Sequence, residues 1–428
     1  MNWIETGLHL KYGRGALPLR LPAHVRLRPV VEPAPLATEE LQEGQREVLA
    51  ALRHPIGAPP LFALAQGAQR VVVTVSDVTR LSVGHARFLP AILDELNAGG
   101  APDDAIEVLV ATGNHLPATP AEIAEIVGPE VLRRVAVSSH DARADADLAY
   151  VGRTTRGTEV WLNRRVVEAD LVVVTGGIVA HVFAGYGGGR KGILPGVAGR
   201  ATVLQNHAHC LLPDGGLHPR TTYGVLDGNP VHADMVEAAR LLPTPVFLFN
   251  VVNDAAGEPA AHFAGDLEEA WAAGVRLCER LSSVRVEQPA DLVIASMGGF
   301  PKDISLYQST NDYAYPAVAP GGAIILVAAC EEGLGAPDFV KWLSYRTPAA
   351  MCAALRDDFS VAGYLAYRTW LQALRVPTFF VSTLPPEPVQ ALGMRPMTSL
   401  DEAIAAAVEL LGPAPEALVF PRILQVTA

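Results

Sequence analysis

The sequence predicts an α/β fold with two domains, each built on a parallel-rich sheet flanked by helices, and three observations lead to this prediction. Apolar runs that end in Gly, Ser, Thr or Asp alternate with amphipathic helical patterns, which is typical of parallel strands covered on both faces. The 428 residues are too many for one hydrophobic core. Half of the residues are hydrophobic and 18% are charged, a balance that suits a compact globular chain.

The predicted elements alternate along most of the chain. Strands are expected over the apolar runs 71–75, 106–111, 171–175, 246–252, 292–296, 323–328 and 378–382. Helices are expected over 83–97, 120–134, 267–281 and 400–411, where apolar residues recur at helical spacing. The opening 60 residues, rich in proline and leucine, are expected to form irregular or edge structure.

The domain boundary is expected near the helix over 267–281, because a new series of strands and helices begins at Asp291. The first domain is expected to span 1–270, and the segment 414–428 could return to it after a Gly-Pro-Ala-Pro linker. The second domain is expected to span 285–413. We expect an active site in the cleft between the domains, with the second domain closing over it.

The composition restricts the partners of this chain. A net charge of −12 argues against nucleic acid or an anionic membrane, because both are bound through basic patches. No apolar run reaches the roughly 18 residues of a membrane span, and the amino terminus lacks the pattern of a secretory signal. The four cysteines are far apart and include no CxxC pair. These features predict a cytoplasmic protein with reduced thiols and no membrane or nucleic acid partner.

Polar side chains follow three of the predicted strands. The strand over 71–75 leads into Ser-Asp-Val-Thr-Arg, the strand over 106–111 into Thr-Gly-Asn-His, and the strand over 171–175 into two glycines and then a histidine. Ligands of open parallel sheets bind beyond the carboxyl ends of the strands. If these strands share one sheet, one crevice should contain Asp77, Arg80, His115 and His181.

Each of these four residues has a functional and a structural interpretation. Arg80 could bind a carboxylate or phosphate and Asp77 a ribose hydroxyl, or the two could pair with each other and hold the loop. His115 and His181 could be general bases, since imidazole titrates near neutral pH, or they could be structural.

A glycine-rich segment from Gly185 to Gly192 contains one of only four lysines in the chain, Lys191. Its spacing fits neither the GxxxxGK[ST] phosphate loop nor GxGxxG, so an ordinary ATP or NAD site is not expected. His207 and His209 follow it and, two residues apart, would point to different faces of a helix. At most one of them should reach a ligand bound at Lys191, and a solvated helix start is the alternative for the pair.

Taken together, these segments resemble the nickel-pincer nucleotide-dependent lactate racemase family of 2-hydroxyacid racemases and epimerases. The resemblance depends on SDVTR at 76–80, ATGNHLP at 111–117, HVFAGYGGGRKGILPG at 181–196, QNHAH at 205–209, GVLDGNPVHADM at 224–235 and GGFPKDISLYQS at 298–309. It implies inversion at C2 of a 2-hydroxy acid through a 2-keto acid, by hydride transfer to and from the cofactor. That cofactor is a pyridinium-3,5-bisthiocarboxylic acid mononucleotide with nickel, tethered to a lysine. Partner enzymes would make it and insert its nickel.

The resemblance also implies roles for individual residues. Lys191 would carry the cofactor covalently, His207 would bind nickel, and His115 and His181 would be the catalytic acid and base. The other residues implied in cofactor binding are Asp77, Thr79, Gly188, Gly189 and Arg190. Those implied in substrate binding are Arg80, Tyr307, Gln308, Asn311 and Trp370.

One position departs from the family pattern. The lactate enzymes have a lysine three residues after the glutamine of the Tyr-Gln pair, where this chain has Asn311. A neutral amide should weaken the electrostatic contact with the substrate and could bind an added hydroxyl. We therefore do not expect strict lactate specificity, and we expect the site to accept a longer or more polar 2-hydroxy acid. Two alternatives stay open: a nucleotide-dependent dehydrogenase or lyase on the same scaffold, and a nucleotide-binding protein without catalytic activity.

Overall fold

The computed structural model describes residues 2–28, 44–45, 47–254, 256–298, 303–306, 312, 314–421 and 425–427. These residues fall into two compact units. We call the part between residues 34 and 210, together with 218–282, the central unit. The part up to residue 33, together with 211–217 and the residues from 283 onward, is the terminal unit.

Strands and helices alternate in both units, which confirms the predicted α/β class. The strands are β1 (Trp3–Tyr12), β2 (Gly15–Pro22), β3 (Arg26–Leu27), β4 (Val71–Ser76), β5 (Ile106–Ala111), β6 (Ala136–Ser139), β7 (Leu148–Arg153), β8 (Glu159–Asn163), β9 (Leu171–Gly177), β10 (Ala180–His181), β11 (Gly185–Tyr186), β12 (Val246–Asn253), β13 (Pro259–Gly265), β14 (Ser283–Arg285), β15 (Ala290–Ser296), β16 (Val318–Val327), β17 (Thr378–Val381), β18 (Arg395–Met397), β19 (Glu416–Phe420) and β20 (Gln425–Thr427). The helices are α1 (Val48–Arg53), α2 (Leu61–Leu64), α3 (His85–Ala98), α4 (Pro120–Arg134), α5 (Arg164–Val167), α6 (Arg200–Ala208), α7 (Pro230–Arg240), α8 (Glu269–Ser282), α9 (Pro337–Val340), α10 (Pro348–Asp357), α11 (Val361–Arg375), α12 (Pro386–Ala391) and α13 (Leu400–Leu411).

The central unit is organised around one sheet with the strand order β13-β12-β9-β4-β5-β6. All neighbours pair in parallel except the edge strand β13, which is antiparallel to β12. Valines 71, 72, 73 and 75 of β4 are all buried, as expected for a central strand covered on both faces. Because β9, β4 and β5 are adjacent and parallel, their carboxyl ends meet at one edge, as the sequence predicted.

The terminal unit contains a second, fully parallel sheet with the order β18-β17-β16-β15-β19-β3. This sheet corrects the expected return of the segment 414–428 to the first domain. Strand β19 pairs with β15, with Leu292 opposite Ala417, because its apolar residues complete the core of this sheet.

The amino-terminal segment also belongs to the terminal unit, which corrects the domain expected over 1–270. Strands β1 and β2 form an antiparallel hairpin, and β3 pairs with β19 at the sheet edge. Leu10, Leu19 and Leu21 of the hairpin are buried in the same core as the strands β15, β16 and β17. The hairpin is therefore a packed layer rather than irregular structure, because its apolar face covers one side of that sheet.

Among the described residues, no helix is both long enough and apolar enough to cross a membrane.

We predict that Leu19→Ala lowers the free energy of unfolding of the terminal unit by about 2–5 kcal/mol, the usual cost of a cavity at a fully buried leucine. Hydrogen-exchange mass spectrometry should show lost protection in peptides from β16. Peptides from β9 in the central unit serve as the internal reference, and Ile4→Ala, at a position 52% exposed in the same hairpin, is the matched control. Unchanged exchange in β16 would contradict the assignment of the hairpin to this core.

Candidate functional site

The candidate site lies in the central unit, beyond the carboxyl ends of β4, β5 and β9. Strand β4 ends at Ser76, and the next residue, Asp77, caps a short 3-10 helix over Val78–Val83. One carboxylate oxygen of Asp77 accepts hydrogen bonds from the backbone N–H of Thr79 at 3.1 Å and from its hydroxyl at 2.5 Å. This cap fixes the carboxylate at the end of the strand.

Asp77 forms a hydrogen-bonded pair with His115. The second carboxylate oxygen of Asp77 contacts Nδ1 of His115. Burial raises the pKa of Asp77, but the hydrogen bonds from His115 and Thr79 and the charge of Arg80 bring it below its ordinary value. An ionised carboxylate only accepts, so Nδ1 donates and Nε2 of a neutral ring is left with its lone pair. The His115 side chain is 62% exposed, so this nitrogen is accessible.

Arg80 lies on the exposed side of the same turn. Its guanidinium donates to the backbone carbonyl of Thr79 at 3.0 Å, so within the described chain it is bound to Thr79 rather than paired with Asp77. Together with desolvation, which is the larger cause, its charge lowers the pKa of both His181 and Lys191. Arg80 thus lies within electrostatic reach of Asp77, His181 and Lys191.

His181 and Lys191 are in direct contact. Nδ1 of His181 accepts hydrogen bonds from the backbone N–H groups of Phe183 and Ala184, at 3.2 and 3.4 Å. The proton of the neutral ring is therefore on Nε2, which lies 3.1 Å from Nζ of Lys191. Burial and the charges of Lys191 and Arg80 hold the pKa of His181 well below its usual range. Burial and the charges of Arg190 and Arg80 do the same to the pKa of Lys191.

The glycine-rich loop that carries Lys191 requires its glycines. Gly188 and Gly189 have φ of 68° and 56°, in the left-handed region that disfavours other residues. A Cβ on Gly189 would lie 2.6 Å from the indole of Trp271. The backbone N–H of Gly189 donates to the side chain of Asn250 at 2.8 Å. In this structure the loop amide of Gly189 is thus bound to the protein itself.

Arg190 is buried beneath this loop, with 2% of its surface exposed. Its guanidinium donates to the carbonyls of Ala184 at 2.7 Å, Tyr186 at 2.9 Å and Gly188 at 3.3 Å, and its Nε to His232 at 3.1 Å. Its charged plane lies 4.0 Å from the ring centre of Trp271. Burial lowers the pKa of Arg190 to about 9. This geometry favours a role for Arg190 in holding the loop, rather than the direct contact with the cofactor that the family resemblance implied.

His207 and His209 point in different directions, as their spacing predicted. Nδ1 of His207 lies 2.9 Å from the carbonyl of Val203 and must donate to it, so Nε2 keeps a lone pair. Burial, together with the charge of Lys191, lowers the pKa of His207 to about 3. His209 instead lies 3.2 Å from the hydroxyl of Thr158 and 3.7 Å from the carboxylate of Asp234. Of these two histidines, His207 is therefore the one that interacts with Lys191 and keeps the lone pair of Nε2.

The substrate residues expected from the second domain are mostly not described. Tyr307, Gln308 and Asn311 lie outside the described residues. Trp370 lies on α11 and is 91% buried in the core of the terminal unit. The site expected in a cleft between the two domains stays a prediction.

Two asparagines that the sequence analysis did not single out hold the site together. Asn250, within β12, accepts a hydrogen bond from the backbone N–H of Gly189 and so binds the loop. Asn229 caps α7 through its side-chain oxygen and donates 3.0 Å hydrogen bonds to the carbonyls of Phe183 and Val225. The sequence does contain a signal for the cap at Asn229. Asn229 is followed by a proline, and asparagine directly before proline is a common start of a helix.

The described residues contain no group of three or more His, Cys, Asp or Glu side chains placed to hold a metal ion.

Two family models match the chain. The lactate racemase N-terminal domain matches residues 12–216, and the lactate racemase C-terminal domain matches residues 285–427. A lactate racemase of Thermoanaerobacterium thermosaccharolyticum is 33% identical over 339 residues, which cover 79% of this chain and 78% of that protein. A lactate racemase of Lactiplantibacillus plantarum is 35% identical over 297 residues, which cover 69% and 68%.

Solved structures are similar over nearly the whole chain. The structure of the lactate racemase apoprotein from Thermoanaerobacterium thermosaccharolyticum matches with a TM-score of 0.87 and 30% identity, covering 98% of this chain and 99% of that one. A crystal structure of a protein from Thermotoga maritima matches with a TM-score of 0.62 at 18% identity, which shows a likeness of fold alone.

Proposed function

This chain belongs to the lactate racemase family, and we propose that it inverts C2 of a 2-hydroxy acid with a nickel-pincer nucleotide attached to Lys191. One observation carries the proposal. Two separately held imidazoles, His115 and His181, follow strands β5 and β9 of one sheet, and Lys191 contacts His181. A racemase needs two proton-transfer groups because the hydroxyl of each enantiomer points in a different direction.

The residues present fit such a cofactor. Lys191 is held as a partly buried amine in a glycine-rich loop, which suits covalent attachment. The free Nε2 of buried His207 suits Ni(II), which binds neutral imidazole well. When bound, the cofactor would supply the electrophilic carbon that takes up and returns the C2 hydrogen as hydride.

The side chains of the protein would handle the carboxylate and the hydroxyl proton. Arg80, exposed at the turn after β4, would bind the substrate carboxylate. His115 would take the hydroxyl proton at Nε2, while Asp77 holds the ring and stabilises its cation. His181 would give or take the proton at Nε2 in the opposite orientation. The weak acidity of the C2 hydrogen explains why neither histidine removes it as a proton.

The attachment is tested by mass spectrometry of the intact protein, made with and without the enzymes that build the cofactor and insert nickel. We expect a mass adduct and racemisation only in the presence of those partners. Lys191→Ala should lose both, whereas Lys341→Ala, at an exposed lysine of the terminal unit, should keep both. An adduct that survives on Lys191→Ala protein would rule out the proposed tether.

The nickel ligand is tested by metal analysis of two histidine variants. His207→Ala should lose nickel, because it removes the free buried Nε2, while His209→Ala should keep it, because His209 is bound to Thr158. The adduct mass should be read on both proteins, so that loss of metal is separated from loss of the nucleotide. Nickel lost only from His209→Ala would show that the assignment is reversed.

The proton-transfer roles are tested with three variants. His115→Ala and His181→Ala should each lower racemisation by about 100-fold or more in both directions, because each histidine is the base in one direction and the acid in the other. Asp77→Asn should also lose activity of that order, since it removes the acceptor that orients His115. The adduct should persist in Asp77→Asn. Loss of the adduct in this variant would favour the alternative role of Asp77 on the ribose.

The substrate is tested with a panel of lactate, 2-hydroxybutyrate, malate, glycerate and gluconate. Asn311 should favour a substrate with an added polar group, and a site that hydrogen-bonds a hydroxyl can discriminate by roughly 10⁴-fold. Asn311→Lys is the control and should shift the ranking towards lactate. Lactate as the best substrate, with no shift in Asn311→Lys, would contradict the interpretation of Asn311 while leaving the racemase assignment intact.

A further inference from the structure

Arg190 is unusual because it is a buried cation without an acidic partner. Among the described residues no carboxylate forms an ion pair with it, and four of its N–H donors are bound to carbonyls and to His232. A buried charge is normally paired, since its desolvation is costly. Here carbonyl dipoles and the face of Trp271 take the place of a counter-charge. The positive charge is therefore fixed in position and poorly compensated.

Lys191 follows Arg190 directly and is surrounded by further positive or neutral groups. The groups that face it are Arg190 on its own loop, Arg80 after β4, His181 after β9 and His207 on α6. No described carboxylate forms an ion pair with Lys191. A protonated Lys191 would have to sit among these cations without a counter-charge.

The hydrogen-bond directions lead to the same conclusion independently. His181 receives two backbone N–H groups at Nδ1, so its single proton is on Nε2 and points at Nζ of Lys191. A contact in which Nε2–H donates requires Nζ to accept, and only a neutral amine has the lone pair to do so. Arg190, through its charge, and His181, through its N–H, thus act on the same nitrogen.

We propose that Arg190 is a positioning residue that presents Lys191 as a neutral, nucleophilic amine in the apoprotein. Such an amine can form an amide or thioamide bond with an activated carboxyl or thiocarboxyl group, with loss of the activating group and of one amine proton. This inference extends the proposed function, because it explains how the tether can form at this lysine. It gives the buried guanidinium a chemical role beyond holding the loop. The same lowered proton affinity that burial imposes on amines is used in other proteins to make lysine a nucleophile.

The experiment uses the full-length apoprotein, made without the cofactor-building enzymes, and trace labelling with acetic anhydride over a pH series. Acetylation of each lysine is read by peptide mass spectrometry, and the pH midpoint of its reactivity is compared with that of Lys11, an exposed reference. The midpoint is used because it does not depend on how accessible each lysine is. We expect the midpoint of Lys191 to lie at least about one pH unit below that of Lys11.

Two variants separate the charge of Arg190 from its support of the loop. Arg190→Met should raise the Lys191 midpoint towards that of Lys11, because it removes the buried charge. Arg190→Lys keeps a positive charge but loses the planar guanidinium and its several N–H donors. This variant should retain most of the difference between the Lys191 and Lys11 midpoints. A wild-type midpoint equal to that of Lys11, or an unchanged midpoint in folded Arg190→Met, would overturn the proposal.

A salt series on the wild-type protein covers the case in which Arg190→Met does not fold. Salt screens an exposed charge such as Arg80 but acts little on a buried one. The Lys191 midpoint should therefore stay low at high salt, and a rise to the Lys11 value would overturn the role of Arg190. Racemisation is not read in this experiment. If the cofactor-loaded protein failed to racemise 2-hydroxy acids in a separate assay, the proposed function would be contradicted. The measured reactivity of Lys191 would not be affected by that result.

Discussion

The central unit depends on one interaction more than on any other, the buried guanidinium of Arg190 beneath the glycine-rich loop. Its hydrogen bonds require the carbonyls of Ala184, Tyr186 and Gly188 to point inward at one place. The backbone can reach that arrangement because Gly188 and Gly189 tolerate positive φ. Trp271 closes the other side, stacking on Arg190 and donating to the carbonyl of Gly187 at 2.8 Å. The direction of the Lys191 side chain follows from these constraints.

The two candidate catalytic histidines reach their positions by different physical means. His115 is largely exposed and is oriented by a charged partner, the carboxylate of Asp77. His181 is less exposed, lies among cations and is oriented by two backbone N–H groups. The first histidine is thus oriented by a charged side chain and the second by the backbone. A site that must serve both enantiomers is therefore built from two unlike halves, although both use imidazole.

Much of the fold was predictable, because the central strands are continuous apolar runs and the long helices have clear starts. The predicted helix over 120–134 coincides with α4, where Thr119 and Glu122 form a capping box. The amino-terminal hairpin was not predictable, because Leu10, Leu19 and Leu21 become a recognisable apolar face only against the distant sheet they cover. Within the site, the strand ends marked Asp77, His115 and His181. Sequence spacing could not show that Asp77 binds His115, or that Arg190 turns inward, since both depend on contacts between separate segments.

The pairing of β3 with β19 has a consequence for how the chain acquires its structure. Arg26 lies opposite Glu416, a separation of 390 residues along the chain. Such a contact is among the last that a growing polypeptide can make, and closing so long a loop is entropically costly. The hairpin β1–β2 must therefore wait, with its leucines uncovered, until the sheet that receives them has been synthesised. The central unit, whose strands β4, β5 and β9 follow one another closely, is free to fold first, so the early-made leucines are the segment most in need of protection from aggregation.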